Sequence, residues 1–261
     1  MKHLVFISLF LLSFTSVLAQ QKDDGEKIVG EDKPISTPFC TAAIGWTFPD
    51  GEMGNRYKSF MNLNANFGWK TEKNFVWMLE FGFGFGNDNI RNKEDILAGI
   101  MTNDGTEFII SKEGSDAGVV AYNRNLSLSG KIGKLIPLSK KRPNSGLLLM
   151  AGIGGLQHQI IYQSTLEIAE QLEGDYALLY DRQMRGVMLS GFVGYMHMSK
   201  KNFTNFYIGV EFNQAWTKTT RVYQINYNHS YDKLFQDRMW TIKAGWMFPF
   251  FGRDTDKVYY Y

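Results

Sequence analysis

The chain has 261 residues, with 28 basic and 26 acidic side chains and a formal net charge of +2. So balanced a charge gives no electrostatic attraction for nucleic acid, and a single cysteine excludes both a disulfide framework and a thiolate zinc site. Aromatic residues make up 15% of the chain, and 26 glycines stand beside only 6 prolines, a composition that favours strands. We therefore expect a β protein that binds neither nucleic acid nor a cofactor.

Residues 1–19 have the pattern of a cleaved secretory signal peptide. A basic start at Lys2 precedes an apolar stretch from Leu4 to Leu12, and small residues end at Ala19. The stretch is shorter than a typical transmembrane helix, although a retained membrane anchor is the alternative. Residues 20–38 are then expected to form a periplasmic segment. An exported chain with no second long apolar run can enter lipid only as a closed barrel.

Eight segments between Phe39 and Phe250 alternate between apolar and polar side chains. Alternation of this kind is typical of strands that face lipid on one side and a polar interior on the other. The fifth and sixth segments are apolar on both faces near Leu147–Met150 and Val187–Leu189, so which face points inward is left open there. The eight segments are Phe39–Phe48, Met61–Trp69, Phe75–Gly86, Tyr122–Leu138, Leu147–Tyr162, Arg185–Met198, Phe203–Lys218 and Arg238–Phe250.

The connections between these segments alternate between short and long. Thr71–Asn74, Ser139–Gly146 and Ser199–Asn202 are short and polar, whereas long connections follow Asn87 and Gln163. This alternation of connection lengths is typical of an up-and-down barrel with short periplasmic turns and long outer loops. The sequence therefore predicts an all-β fold, an eight-stranded antiparallel up-and-down transmembrane β-barrel over residues 39–250. We expect it in the bacterial outer membrane with both termini in the periplasm.

Four charged residues fall on the predicted inward faces. An eight-stranded barrel is narrow enough for its own side chains to fill it, so diffusion-porin function is not expected. Glu80 and Lys131 lie on adjacent strands at similar heights, as do Glu211 and Lys243. The sequence therefore predicts two buried cross-strand ion pairs, with a proton or solute path as the alternative.

Three histidines follow the predicted leader. His158 is the best placed for catalysis, near the outer end of the fifth segment, whereas His197 lies beside a short turn among aromatic residues. His229 has Ser230 and Asp232 nearby, but such local spacing is weak evidence for a catalytic triad. The sequence contains no nucleophile elbow, zinc signature or phosphate loop. We therefore expect a non-enzymatic protein without catalytic, cofactor-binding or metal-binding residues.

The predicted periplasmic side carries two basic turns and an aromatic tail. The basic turns can serve lipid head groups or a protein partner. Residues 251–261 form a periplasmic C-terminal tail whose tyrosines are of the type enriched at protein interfaces, or which instead joins the aromatic girdle of the membrane surface. The candidate partner-binding residues are Lys140, Lys141, Arg142, Lys200, Lys201, Arg253, Tyr259, Tyr260 and Tyr261.

Several stretches resemble the PorG family, small outer-membrane barrels of the type IX secretion system of Bacteroidetes. The stretches are Pro143–Leu147 leading to Gly155–His158, Asn205–Phe212, Gln214–Lys218 and Tyr259–Tyr261. The resemblance, from about Leu126 onward, implies that the protein anchors a periplasmic ring built from the lipoprotein PorK and its partner PorN. It also implies docking contacts at the terminal tyrosines and nearby periplasmic positions. An adhesin or defence barrel acting through its outer loops, or a lipid-modifying barrel enzyme, remains as the alternative.

Overall fold

The computed structural model describes residues 33–102, 108–199, 204–221, 223, 225 and 233–250. The predicted leader 1–19 and the tail 251–261 lie outside the described residues, as does most of the segment 20–38. The same holds for several residues singled out from the sequence, namely Lys200, Lys201, His229, Ser230, Asp232, Arg253, Tyr259, Tyr260 and Tyr261.

Eight antiparallel strands form one closed barrel in which every strand pairs with its neighbours in chain order. The first and last strands also pair, from Phe39 opposite Pro249 to Asp50 opposite Arg238, and this pairing closes the sheet. The predicted eight-stranded antiparallel barrel is confirmed. The strands are β1 (Thr37–Asp50), β2 (Phe60–Lys70), β3 (Phe75–Asn87), β4 (Val119–Pro137), β5 (Gly146–Ser164), β6 (Met184–His197), β7 (Phe206–Thr219) and β8 (Phe235–Pro249).

The remaining regular structure of the described residues lies in the connections that follow β1, β3 and β5. It consists of the short helices α1 (Gly51–Arg56), α2 (Lys93–Leu97) and α3 (Gly174–Ala177) and a 3-10 turn at Glu170–Leu172. Within the described part of the chain, no helix has the length and apolarity that a membrane crossing needs. We call the end that carries the short β2–β3, β4–β5 and β6–β7 connections the short-turn end, and the opposite end the long-loop end.

Successive side chains along each strand face outward and inward in turn. On β3, Trp77 and Leu79 are 43% and 51% exposed, whereas Met78 and Glu80 between them are 5% and 4% exposed. The same apolar band continues around the barrel, as in Ile132 of β4 and other outward residues. A closed sheet with an apolar exterior and a partly polar interior is the arrangement that spans a lipid bilayer.

The structure also resolves the two strands whose facing the sequence leaves open. On β5, Met150 is buried inside while Leu149 faces out. On β6, Met188 is buried inside, and Val187 and Leu189 are 60% and 48% exposed on the exterior.

Apolar side chains fill both ends of the interior. The short-turn end is filled by a cluster that includes Phe39, Val76, Leu135, Leu148, Phe192, Met196, Tyr207 and Met247. The long-loop end is filled by a second cluster that includes Met53, Tyr57, Phe60, Leu156, Ile160, Met188 and Met239. Between these two clusters lies a polar layer, which contains the charged residues predicted from the sequence.

Candidate functional site

Four buried charges form one network in the polar layer. Lys131 Nζ lies 2.8 Å from Glu80 Oε1 and 2.7 Å from Glu211 Oε2. Lys243 Nζ lies 2.8 Å and 2.5 Å from the same two oxygens. The four side chains are at most 6% exposed. The sequence predicts two separate pairs, but the structure joins all four residues into a quartet because both carboxylates reach far enough inward to meet both ammonium groups.

Neutral side chains complete the hydrogen bonding of the quartet. Asn213 Nδ2 donates to Glu211 Oε1 at 3.0 Å, and Asn64 Nδ2 donates to Glu80 Oε1 at 3.4 Å. The Tyr207 hydroxyl donates at 3.0 Å to the side-chain oxygen of Asn66, whose amide nitrogen donates to Glu80 Oε2 at 3.2 Å. Buried charges are tolerated in such a setting only when they are paired and hydrogen-bonded.

The quartet leaves almost no space beside it. The adjoining cavity, lined by residues that include Met78 and Phe192, has a volume of about 10 Å³. That is room for about one water molecule. Together with the apolar clusters above and below, the neutral quartet therefore fills the middle of the barrel.

His158 lies inside the barrel rather than at its outer rim, where the sequence places it. Its Nε2 atom is 3.1 Å from Asp237 Oδ2, and its Nδ1 atom is 3.0 Å from the Tyr57 hydroxyl. The Thr217 hydroxyl donates to the same Asp237 oxygen at 2.5 Å. His158, Asp237 and Tyr57 are all 0% exposed. A substrate cannot reach this cluster, whose evident role is to hold the segment after α1 against β5, β7 and β8.

His197, at the short-turn end of β6, makes a local structural contact. Its Nδ1 atom is 3.0 Å from the Ser145 hydroxyl, and its ring lies 5.6 Å from the ring of Phe206. His197 is thus partly exposed and held by the β4–β5 turn and by β7, whereas His158 is fully buried.

The segment before β1 crosses the short-turn mouth of the barrel. Asn144, in the β4–β5 turn, accepts a hydrogen bond from the Ile35 backbone N–H at 2.8 Å and donates to the Lys33 carbonyl at 3.1 Å. The buried ammonium of Lys70 donates to the Ile35 carbonyl at 3.0 Å and to Asn144 Oδ1 at 2.9 Å. Because β1 and the β4–β5 turn lie on opposite sides of the ring of strands, residues 33–36 form a strap across the opening.

Sequence reasoning missed this strap. One signal was present: Lys70 falls on the inward face at the end of β2, where the alternation continues from Asn64, Asn66 and Gly68. A lysine on the inward face near a barrel mouth needs oxygen partners, and the strap supplies them.

Positive charge predominates at the short-turn end. Lys140, Lys141 and Arg142 are exposed in the β4–β5 turn, beside the strap. Among the residues described at this end, Glu72 is the one acidic side chain, whereas the basic side chains are Lys33, Lys70, Lys73, Lys134, Lys140, Lys141 and Arg142. This end therefore presents a predominantly positive surface.

The long connections fold into a body of their own at the opposite end. The β3–β4 and β5–β6 connections share an apolar cluster made of Leu97, Ile109, Ala117, Ala169, Leu172 and Tyr180. Glu167 accepts hydrogen bonds from Ser111 at 2.6 Å and from Ser115 at 2.5 Å, and these bonds lower the pKa of its carboxyl group. The loops thereby hold a defined shape, with Leu166 and Ile168 69% and 59% exposed on their surface.

The sequence matches no family model and no curated protein. It is similar at low identity to a number of solved structures of barrels, of which three are described. Neisserial surface protein A has 9% identity and a TM-score of 0.47 over 83% of this chain and 99% of its own. Ail, the attachment invasion locus protein of Yersinia pestis, has 11% identity and a TM-score of 0.41 over 82% and 99%. The outer membrane protein OprG of Pseudomonas aeruginosa has 11% identity and a TM-score of 0.34 over 81% and 96%. At these values the fold rests on the strand pairing of this chain itself.

Proposed function

We propose that the protein is a non-enzymatic outer-membrane barrel that anchors a periplasmic partner through its short-turn end. The observation that carries this proposal is the filled interior, in which a neutral quartet lies between two apolar clusters. A barrel without room for a passing solute acts at its rims. With both termini in the periplasm, the short-turn end is the periplasmic rim.

The partner in this proposal is the ring built from PorK and PorN in type IX secretion, which the resemblance to the PorG family implies. Support comes from the predominantly positive charge of the short-turn end, where Lys140, Lys141 and Arg142 are exposed together. A basic face attracts and orients an acidic protein face. The remaining candidate contact residues lie outside the described part of the chain: Lys200, Lys201, Arg253, Tyr259, Tyr260 and Tyr261.

Co-purification in mild detergent tests the docking role. We compare the wild type with a deletion of residues 251–261 and with the triple variant Lys140→Gln, Lys141→Gln, Arg142→Gln. The matched control neutralises three exposed lysines at the other end, Lys58, Lys112 and Lys233. Recovery of PorK and PorN is expected to fall at least tenfold in the triple variant and to stay unchanged in the control. Equal recovery from all four proteins would overturn the proposal.

Conductance in planar bilayers tests the filled interior on which the proposal depends. The wild-type protein is expected to give no stable openings, because the quartet and the two apolar clusters leave no continuous aqueous path. Stable single-channel openings would favour the proton or solute path instead.

A second candidate function is supported by the ordered long-loop body. An adhesin or defence barrel acts through such loops, and exposed Leu166, Ile168 and Tyr176 give this surface an apolar character. Replacing residues 99–115 by a glycine-serine linker separates the two candidates. If the protein is an adhesin, this replacement abolishes its surface activity. If it is a docking barrel, co-purification of the periplasmic partner stays unchanged.

A further inference from the structure

A row of cationic and amide side chains crosses the barrel exterior near the long-loop end. Arg124 of β4 lies opposite Gln159 of β5, and Gln157 of β5 lies opposite Arg185 of β6. Arg185 Nε donates to Gln157 Oε1 at 2.7 Å. On β7, Lys218 lies opposite Arg185 and adds a third positive charge. The row therefore runs over four neighbouring strands on their outward face.

The charges on this exterior face are all positive. The outward residues of β4–β7 include Arg124, Arg185 and Lys218 but no acidic side chain, since Glu211 points inward into the quartet. Guanidinium groups bind phosphate oxygens in a planar, two-pronged geometry, and the side-chain amides of glutamine can donate to the same oxygens.

An apolar depression lies closer to the middle of the barrel, on the exterior of β3, β4 and β5. Small residues surround the outward side chain of Ile153: Gly155 and Ala151 lie two positions away along β5, and Gly130 lies opposite on β4. Gly191 of β6 lies opposite Ala151. A Cβ atom added at Gly130 or Gly191 would meet nothing within 4 Å, so both positions border open space. The depression is lined by residues that include Leu79, Ile132 and Ile153.

The row and the depression lie close together. Gly155 lies two positions before Gln157 on β5, and the Gln157 side chain contacts Arg185. From Gly155 to Ala151 the strand covers about 13 Å, at a rise of about 3.3 Å per residue. An acyl chain can lie along that distance while its head group stays at the level of the arginines, where the apolar band ends and the membrane interface begins.

We propose that Arg124, Gln157 and Arg185, together with the depression around Ile153, form a binding site for one anionic phospholipid. The phosphate lies against the two guanidinium groups, and one acyl chain fills the depression. A lipid is favoured over a protein because the depression opens on the apolar exterior that faces the bilayer. This site is separate from the short-turn end, so a test of lipid binding does not depend on the proposed docking function.

Native mass spectrometry of the protein in mild detergent tests the site with phosphatidylglycerol as the probe and phosphatidylcholine as the zwitterionic comparison. The wild type is expected to retain one phosphatidylglycerol molecule. The double variant Arg124→Gln, Arg185→Gln is expected to bind it at least tenfold more weakly. The matched control Lys134→Gln, Arg238→Gln removes two other outward charges and is expected to bind like the wild type.

A groove-filling variant distinguishes a lipid from free phosphate. Gly130→Leu with Ala151→Leu fills the depression from two outward positions that line it, and heat-modifiable migration on gels checks that the fold is preserved. Phosphatidylglycerol binding is expected to fall several-fold in this variant, while inorganic phosphate binding, followed by ³¹P NMR, stays unchanged. The proposal is overturned if both double variants keep wild-type lipid binding. It is also overturned if the groove-filling variant alone has no effect, or if an acidic protein rather than lipid is retained by the arginine row.

Discussion

Replacing Lys243 by methionine is the most direct perturbation of the barrel interior. The substitution keeps the length of the side chain but leaves the carboxylates of Glu80 and Glu211 facing Lys131 alone. Removal of one partner from a buried ion pair costs about 3–5 kcal/mol, because an uncompensated charge stays in a low dielectric. Lys243 contacts both carboxylates and is 1% exposed, so a value toward the upper end of that range is expected.

Urea unfolding in lipid vesicles measures this cost through tryptophan fluorescence and the shift of the folded band on gels. The charge-balanced double variant Lys243→Met, Glu211→Gln restores neutrality around the remaining Glu80 and Lys131 pair. It is expected to recover most of the loss, to within about 1–2 kcal/mol of the wild type, because a balanced site no longer buries an unpaired charge. Lys73→Met is the matched control: its side chain is exposed in the β2–β3 turn, and a change below about 0.5 kcal/mol is expected.

Two results would refute this reasoning. One is a Lys243→Met variant within about 1 kcal/mol of the wild type, which would mean that the quartet is not desolvated. The other is a double variant as unstable as the single one, which would mean that the loss comes from packing rather than from charge.

Three further substitutions test the packing of the barrel and its ends. Gly133→Ala is expected to block folding, because the added Cβ would lie 2.0 Å from the carbonyl oxygen of Leu149; the folded band on gels reports this. His158→Ala leaves the buried carboxylate that it contacts without one of its partners, so urea unfolding is expected to show a loss of about 1–3 kcal/mol. Asn144→Ala removes the acceptor of the Ile35 backbone N–H, and hydrogen exchange at that amide is expected to become at least tenfold faster while the barrel keeps its folded migration.

The strand pattern could be read from the sequence wherever the two faces of a strand differ. In β2 and β3, asparagine, glycine and glutamate alternate with large apolar residues, and this local two-residue period predicts both the strand and its facing. In β5, Leu147–Met150 is apolar on both faces, so the local pattern carries no facing information. There the tertiary structure decides: Met150 fits inside because Gly133, opposite on β4, has no side chain to obstruct it.

Contacts across the barrel could be predicted less well than residues on a face. Alternation places Glu80, Lys131, Glu211 and Lys243 inside, but it does not state how far each side chain reaches toward the axis. The joining of β3 with β7 through Lys131 therefore escapes sequence reasoning. The strap is harder still, because its partners lie about a hundred residues apart in the chain and on opposite sides of the ring.

The quartet has a structural consequence that reaches beyond its own stability. A buried ion network adds little free energy compared with well-packed apolar side chains, but it makes strand slippage costly. Because side chains alternate every residue, a shift of β3, β4, β7 or β8 by one position would turn a charged residue outward into lipid. The correct register is also what sets Asn144 within reach of Ile35 and Arg185 opposite Gln157. The charges in the middle of the barrel therefore help to fix the geometry of both proposed binding surfaces, the short-turn end and the lipid site.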